Sequence, residues 1–323
     1  MSLGRRTGRQ TASVHDLATR ARAGSARAVA RLISLVEDAS PLLREVAEHL
    51  TPHTGHAQIV GITGSPGVGK STSTSALVTT LRAQCKRVGV LAIDPSSPFS
   101  GGALLGDRVR MQEHATDGAV YIRSMASRGH LGGLAWATPQ ALRVLDAAGC
   151  DIVLIETVGV GQSEVDIAGL ADTTLVLLAP GMGDSIQAAK AGILEIGDVY
   201  VINKADRDGA DQVLRDLRSV LNLGAQNGQW RPPIVKTVAH TGEGVEDVVS
   251  AIARHRSALE ESGELEARRA RRARDEVEAI ALTALRQRFG DILGHGDLDT
   301  LAAAVAAGRL DPYSAADRLL EAL

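Results

Sequence analysis

Gly64-Ser65-Pro66-Gly67-Val68-Gly69-Lys70-Ser71 is the stretch of this 323-residue chain whose residue types and spacing most directly imply chemistry. An apolar run, Ile59-Val60-Gly61-Ile62, precedes it, and Thr72-Ser73-Thr74-Ser75-Ala76-Leu77-Val78 follows. That is the strand–loop–helix setting which the phosphate-binding pattern G-x-x-x-x-G-K-[ST] requires. Glycines let the backbone curl so that successive N–H groups face a polyphosphate. The start of the helix adds partial positive charge behind them. Lys70 is placed to reach the β- and γ-phosphates, and the Ser71 hydroxyl to ligate Mg²⁺. Gly64 to Thr72 is therefore the predicted cradle of a nucleoside triphosphate.

Other groups at strand ends extend this chemistry. Asn203-Lys204-Ala205-Asp206 follows the apolar run Val199-Tyr200-Val201-Ile202. A carboxylate at Asp206 can accept two hydrogen bonds from the guanine N1–H and exocyclic amine. Adenine has no such donor pair, so polar readout here discriminates by roughly 10⁴-fold or more. Ile152-Val153-Leu154-Ile155-Glu156-Thr157-Val158-Gly159 is a second run that ends on an acid and then glycine. Glu156 can hold the Mg²⁺ hydration shell or the attacking water, and Gly159 can offer its N–H to the γ-phosphate. Gln162 is a candidate for positioning that water. Asp94, at the end of Val88–Ile93, and Asp107, in Gly106-Asp107-Arg108, are candidate metal-linked carboxylates, since Mg²⁺ usually takes one or two. Helix capping is the competing explanation for both, Asp107 above all. Arg108 is either a cis arginine or a surface residue. Pro180-Gly181-Met182-Gly183-Asp184-Ser185, leading to Lys190, is a further candidate loop. His114, His130 and His240 lack ligand spacing.

The elements that must position these groups form an α/β alternation from Ile59 to about Arg256. Strands are predicted at 58–63, 88–93, 119–123, 151–156, 173–179, 198–203 and 233–238. Their Val/Ile/Leu runs lack alternation, as in a parallel sheet buried on both faces. Helices are predicted at 140–148, 211–223 and 246–259. The fold class is a doubly wound, mostly parallel α/β sheet with ligand loops at the carboxyl ends of the strands. Residues 1–56 read as an N-terminal helical extension, 57–257 as the nucleotide domain and 258–323 as a C-terminal helical arm. In the extension, apolar positions recur from Val14 to Leu50, with Pro41 in the first turn of a second helix. Seven Arg and one acidic residue up to Val36 also suit a transit peptide, but the periodicity runs past any cleavage point. In the arm, a polar Arg-rich start, with Arg at 268, 269, 271, 272 and 274, merges into an amphipathic helix. Two short helices follow it. So small an apolar set has to pack on the main domain or a second subunit.

A formal net charge of −3 provides no global basic field for a nucleic-acid partner. Only five of 35 basic residues are Lys, and two of those fall in nucleotide motifs. Cys85 and Cys150 make no metal motif or disulfide framework, which fits a reducing compartment. No run reaches membrane-spanning length. The expectation is a soluble, cytoplasmic protein, or one of the mitochondrial matrix in a eukaryote.

The set GSPGVGKST, DPSSPFSGGALLGDRVRM, ETVGVGQSE, PGMGDSIQAAKAGILEIGD, NKAD and AHTGEGV resembles the MeaB/ArgK/MMAA type of GTPase over nearly the whole chain. The long proline-serine-glycine loop with GDR, joined to PGMGDSIQAAKAG, is the more specific part. The resemblance implies GTP/GDP as nucleotide and Mg²⁺ as cofactor. Lys70 and Ser71 would bind phosphate, and Asp94, Asp107 and Glu156 would have metal-linked roles. Asn203, Lys204 and Asp206 would read guanine. Switch loops would span about 95–111, 157–165 and 180–190, the last with Lys190. It further implies a homodimer joined through the arm and a slow, partner-stimulated GTPase that guards adenosylcobalamin-dependent methylmalonyl-CoA mutase or a related acyl-CoA mutase. One departure is Val238-Ala239-His240 where a Ser-Ala pair often meets the base; the Ala239 amide can still serve. Rival readings are a nickel or cobalt metallochaperone GTPase, a kinase of a transport system, and an adaptor that binds GTP without hydrolysis. The first lacks a gathered set of Cys or His ligands.

Overall fold

The computed structural model describes residues 13–38, 40–95, 111–114, 116–127, 137–157, 163–181, 193–224 and 230–321, with the backbone alone for 94, 95, 112, 126, 127, 163–165, 193, 223, 224, 286–297 and 321. Among the described residues seven strands form one sheet: β1 (Gln58–Thr63), β2 (Val88–Pro95), β3 (Val120–Ser127), β4 (Ile152–Thr157), β5 (Thr173–Leu178), β6 (Val199–Ile202) and β7 (Ile234–Lys236). Their order is β3-β2-β4-β1-β5-β6-β7, and every neighbouring pair is parallel. Each residue of β1, β4, β5 and β6 is buried, which explains their unbroken apolar runs.

Helices cover both faces. On one side α4 (Lys70–Ala83) and α8 (Val245–Ser262) pack on Val60, Ile62, Val90, Leu154, Leu175 and Val201. The opposite side carries α5 (Thr138–Ala147), α6 (Ser163–Leu170) and α7 (Ala210–Gly224). There Gly61 brings β1 so close to α6 that an added Cβ would lie 2.8 Å from Ile167 Cγ1. The N-terminal helices α1 (Val14–Arg22), α2 (Ala26–Glu37) and α3 (Leu43–Leu50) join that same face through Val29, Leu32, Ile33 and Val36. Arg123 of β3 ties α2 to the sheet by donating to Ser34 Oγ at 3.2 Å and to Glu37.

Two element readings are corrected. The extension breaks at Ala23-Gly24-Ser25, where Ser25 caps α2 through the Ala28 N–H, and Pro41 lies in the turn before α3. At the other end α9 (Glu264–Ala306) is continuous for 43 residues and absorbs Leu301 and Val305, so one short helix, α10 (Pro312–Glu321), follows it among the described residues. The chain divides into two compact units, 1–268 and 269–323. The second consists of the rest of α9 and α10.

The amino edge of the sheet holds a buried polar cluster. Arg268 donates to both oxygens of Asp198 at 3.0 Å and to the Asp172 carbonyl at 3.1 Å. His255 is fully buried, with Nε2 3.3 Å from Asp198 Oδ1 and Nδ1 2.9 Å from Thr173 Oγ1. Arg268, the first of the Arg-rich start of the arm, is thus a part-buried anchor on the sheet.

Candidate functional site

The carboxyl ends of β1, β4 and β6 converge on one site. Beyond Thr63 the chain turns through Gly64, whose φ of +138° and position suit no side chain: a Cβ would lie 2.3 Å from the Leu177 carbonyl oxygen. Gly69 (φ +97°) ends the loop, and a Cβ there would meet Asn203 Nδ2 at 2.4 Å. Helix α4 then starts at Lys70 with no side-chain cap on its first N–H groups. Its amino end is thus left to an anion.

Lys70 is buried and its ammonium donates to the carbonyls of Gly64 at 2.5 Å and Ser65 at 3.3 Å. It folds back over the cradle built by Ser65, Pro66, Gly67 and Val68. Ser71 Oγ donates to Glu156 Oε1 at 2.6 Å, and Thr74 Oγ1 lies 3.0 Å from Glu156 Oε2. Register explains the meeting: Glu156 is level with Ile62 of β1 and Ala92 of β2, on the face that α4 covers. Thr72, the next residue of the predicted cradle, is exposed.

Asn203, just past β6, reaches over β5 to the loop. Its Nδ2 donates to the Val68 carbonyl at 2.8 Å, and its Oδ1 accepts from Ala239 N–H at 3.1 Å and Thr237 Oγ1 at 3.2 Å. Lys204, held at φ 58°, donates to the Gly67 carbonyl at 2.6 Å. Asp206 stands exposed on the turn that follows. The chain therefore brings Gly64–Ser71, Glu156, Asn203, Lys204 and Ala239 together. The Ala239 amide is engaged by Asn203 here. Asp107, Gly159, Gln162 and Lys190, and the side chain of Asp94, lie outside the described residues.

Sequence reasoning missed two residues. Thr237 supports Asn203, and Thr74 holds Glu156. For Thr74 a signal existed: it is four residues beyond Lys70 and so shares its helix face.

The family profile described as "Methylmalonyl Co-A mutase-associated GTPase MeaB" matches residues 29–291. The chain belongs to the MeaB family of GTPases. A putative GTPase of Pyrococcus abyssi is 47% identical over 311 residues, 95% of this chain and 96% of that one. GTPase ArgK of Escherichia coli is 36% identical over 263 residues, 79% of this chain and 80% of its own. The protein named "Methylmalonic aciduria type A homolog, mitochondrial" of Mus musculus is 38% identical over 264 residues, 76% of this chain and 64% of its own. A crystal structure titled LAO/AO transport system kinase superposes with a TM-score of 0.72 at 27% identity and covers 98% of this chain and 99% of that one. This MeaB-family member is a GTPase with the P-loop fold. The buried Ser71 hydroxyl and Glu156 carboxylate supply only oxygen donors, which fits a hard divalent cation such as Mg²⁺. Among the described residues no group of three or more His, Cys, Asp or Glu could by itself hold a metal ion. No described helix is long and apolar enough to cross a membrane.

Proposed function

We propose that this family member is a GTP-dependent chaperone that protects and reactivates an adenosylcobalamin-dependent methylmalonyl-CoA mutase, or a related acyl-CoA mutase, and gates the loading of its cofactor. The observation that carries this reading is the match of residues 29–291 to a family described by its association with that mutase. A homodimer formed through the C-terminal arm and a cytoplasmic location belong to the same proposal, as do the three divisions 1–56, 57–257 and 258–323.

In the site, Lys70 leaves its carbonyl partners for the β- and γ-phosphates, and the backbone N–H groups of 64–71, Pro66 excepted, take the remaining phosphate oxygens. Ser71, Glu156, Asp94 and Asp107 are the residues that would hold Mg²⁺, which when bound neutralises the charge on the β- and γ-oxygens. Glu156 orients water through its carboxylate, and Gln162, Lys190 and Gly159 are the groups assigned to the attacking water and the γ-phosphate. Asp206 accepts from guanine while Asn203 and Lys204 brace the base-reading turn against the loop. Loss of the γ-phosphate releases the loops 95–111, 157–165 and 180–190. Coupling of that release to the partner's affinity is typically about 1–3 kcal/mol and reciprocal.

The test measures GTP hydrolysis with and without a purified cobalamin-dependent mutase, beside size-exclusion chromatography of the mixture. Stimulated turnover and a nucleotide-dependent complex are expected. Neither stimulation nor a complex would leave the GTPase assignment and remove the chaperone role, and label passing from ATP to a protein side chain would favour a kinase.

A further inference from the structure

The buried carboxylate of Glu156 is held from both sides by hydroxyls of α4. Ser71 takes Oε1 and Thr74 takes Oε2, three residues apart on one helix face. Both Thr74 and Glu156 are closed to solvent, at 0% and 2% exposure. A carboxylate so placed depends on its hydrogen bonds to stay oriented.

The Thr74 hydroxyl has one proton and two acceptors, each at 3.0 Å: Glu156 Oε2 and the Lys70 carbonyl one turn back. It can serve either but not both at once. When Glu156 turns, the proton falls back on the Lys70 carbonyl, so the buried hydroxyl is never left unmatched. When Glu156 faces Ser71, the Thr74 bond fixes which oxygen points there. We propose that Thr74 is a positioning residue that aims Glu156 at the Mg²⁺ site and so sets how strongly the ion is coupled to nucleotide binding. This rests on the reading of Glu156 as the metal-facing acid.

Thr74→Val keeps the β-branch and nearly the volume and replaces the hydroxyl by a methyl. The test follows release of a fluorescent mant-GDP against free Mg²⁺, with GDP affinity in EDTA measured on the same preparations. Thr74→Val should need about 10- to 100-fold more Mg²⁺ for half of its effect, the usual consequence of losing a partner behind a metal ligand. Affinity in EDTA should stay at the wild-type value, and Thr74→Ser should restore the wild-type midpoint. A wild-type midpoint in Thr74→Val beside a shifted Glu156→Gln overturns the inference and spares the Glu156 reading. Equal shifts in the valine and serine variants also overturn it, because packing and not the hydroxyl would then be responsible. Unshifted midpoints in both Thr74→Val and Glu156→Gln remove the Glu156 reading itself. Thr74→Ala carries the same comparison should the valine variant not fold.

Discussion

Lys70 is parked on the carbonyls of its own loop, so its ammonium is already desolvated and aimed along the cradle before phosphate arrives. Replacing it should cost most where charge builds up in the transition state. Lys70→Ala is expected to lower GTP turnover by about 10²–10³-fold, read by phosphate release at saturating nucleotide. Asn203 has a different task. Its amide links Val68 of the loop to Ala239 and Thr237 beyond β7, and every one of those partners is buried. Asn203→Ala strands them together and is expected to cost about 2–3 kcal/mol in urea unfolding, with weaker GTP binding alongside. An unfolding midpoint equal to wild type would mean that the link is not a structural one.

At the level of elements, Asp198 is the junction of β5, β6, α8 and the first turns of α9. Burial pushes its carboxyl up, but His255 and Arg268 beside it prevail and hold it below the usual range. A folded-state value below the unfolded one stabilises the protein fully above about pH 4, and that contribution is lost as pH falls through the folded value. Asp198→Asn should therefore flatten the acid limb of stability and cost about 3 kcal/mol near neutrality, because Arg268 loses its counter-charge and His255 its carboxylate partner. A melting profile in acid that parallels wild type would contradict this. Much of the architecture was legible: all seven strands lie where their apolar runs predicted, and in β1, β4, β5 and β6 burial on both faces leaves an unmistakable composition, whereas β7 is only part-buried. Buried polar contacts were not. Arg268 and His255 look like ordinary surface residues until a strand start 57 or more positions earlier supplies their carboxylate. Helix boundaries failed for local reasons: the Ser25 cap ends a continuous periodicity, and nothing between Arg274 and Val305 interrupts α9. In the site, the loop, Glu156 and the turn at Asn203 could be read because their spacing encodes chemistry. Thr74 hid among four neighbouring hydroxyl residues of α4.

On the scale of the whole molecule, the second unit exposes large apolar side chains along α9: Val277 is 67% exposed, Ile280 51%, Leu285 54% and Leu298 55%. Monomeric chains seldom leave such a row in water, which supports the proposed dimer. Removal of residues 269–323, retaining the Arg268 anchor, is expected to give a monomer by light scattering that still binds GDP. A dimer persisting after truncation would move the interface elsewhere. Function at this site requires one guanine nucleotide to span the cradle at Lys70 and the turn at Asp206. The most direct measurement is displacement of bound mant-GDP, with Mg²⁺ present, by GTP, ATP and XTP from the wild type and from Asp206→Asn. GTP alone should compete for the wild type and XTP should gain at the expense of GTP in the variant, whereas equal competition by ATP, or an unchanged preference in Asp206→Asn, would contradict the site described.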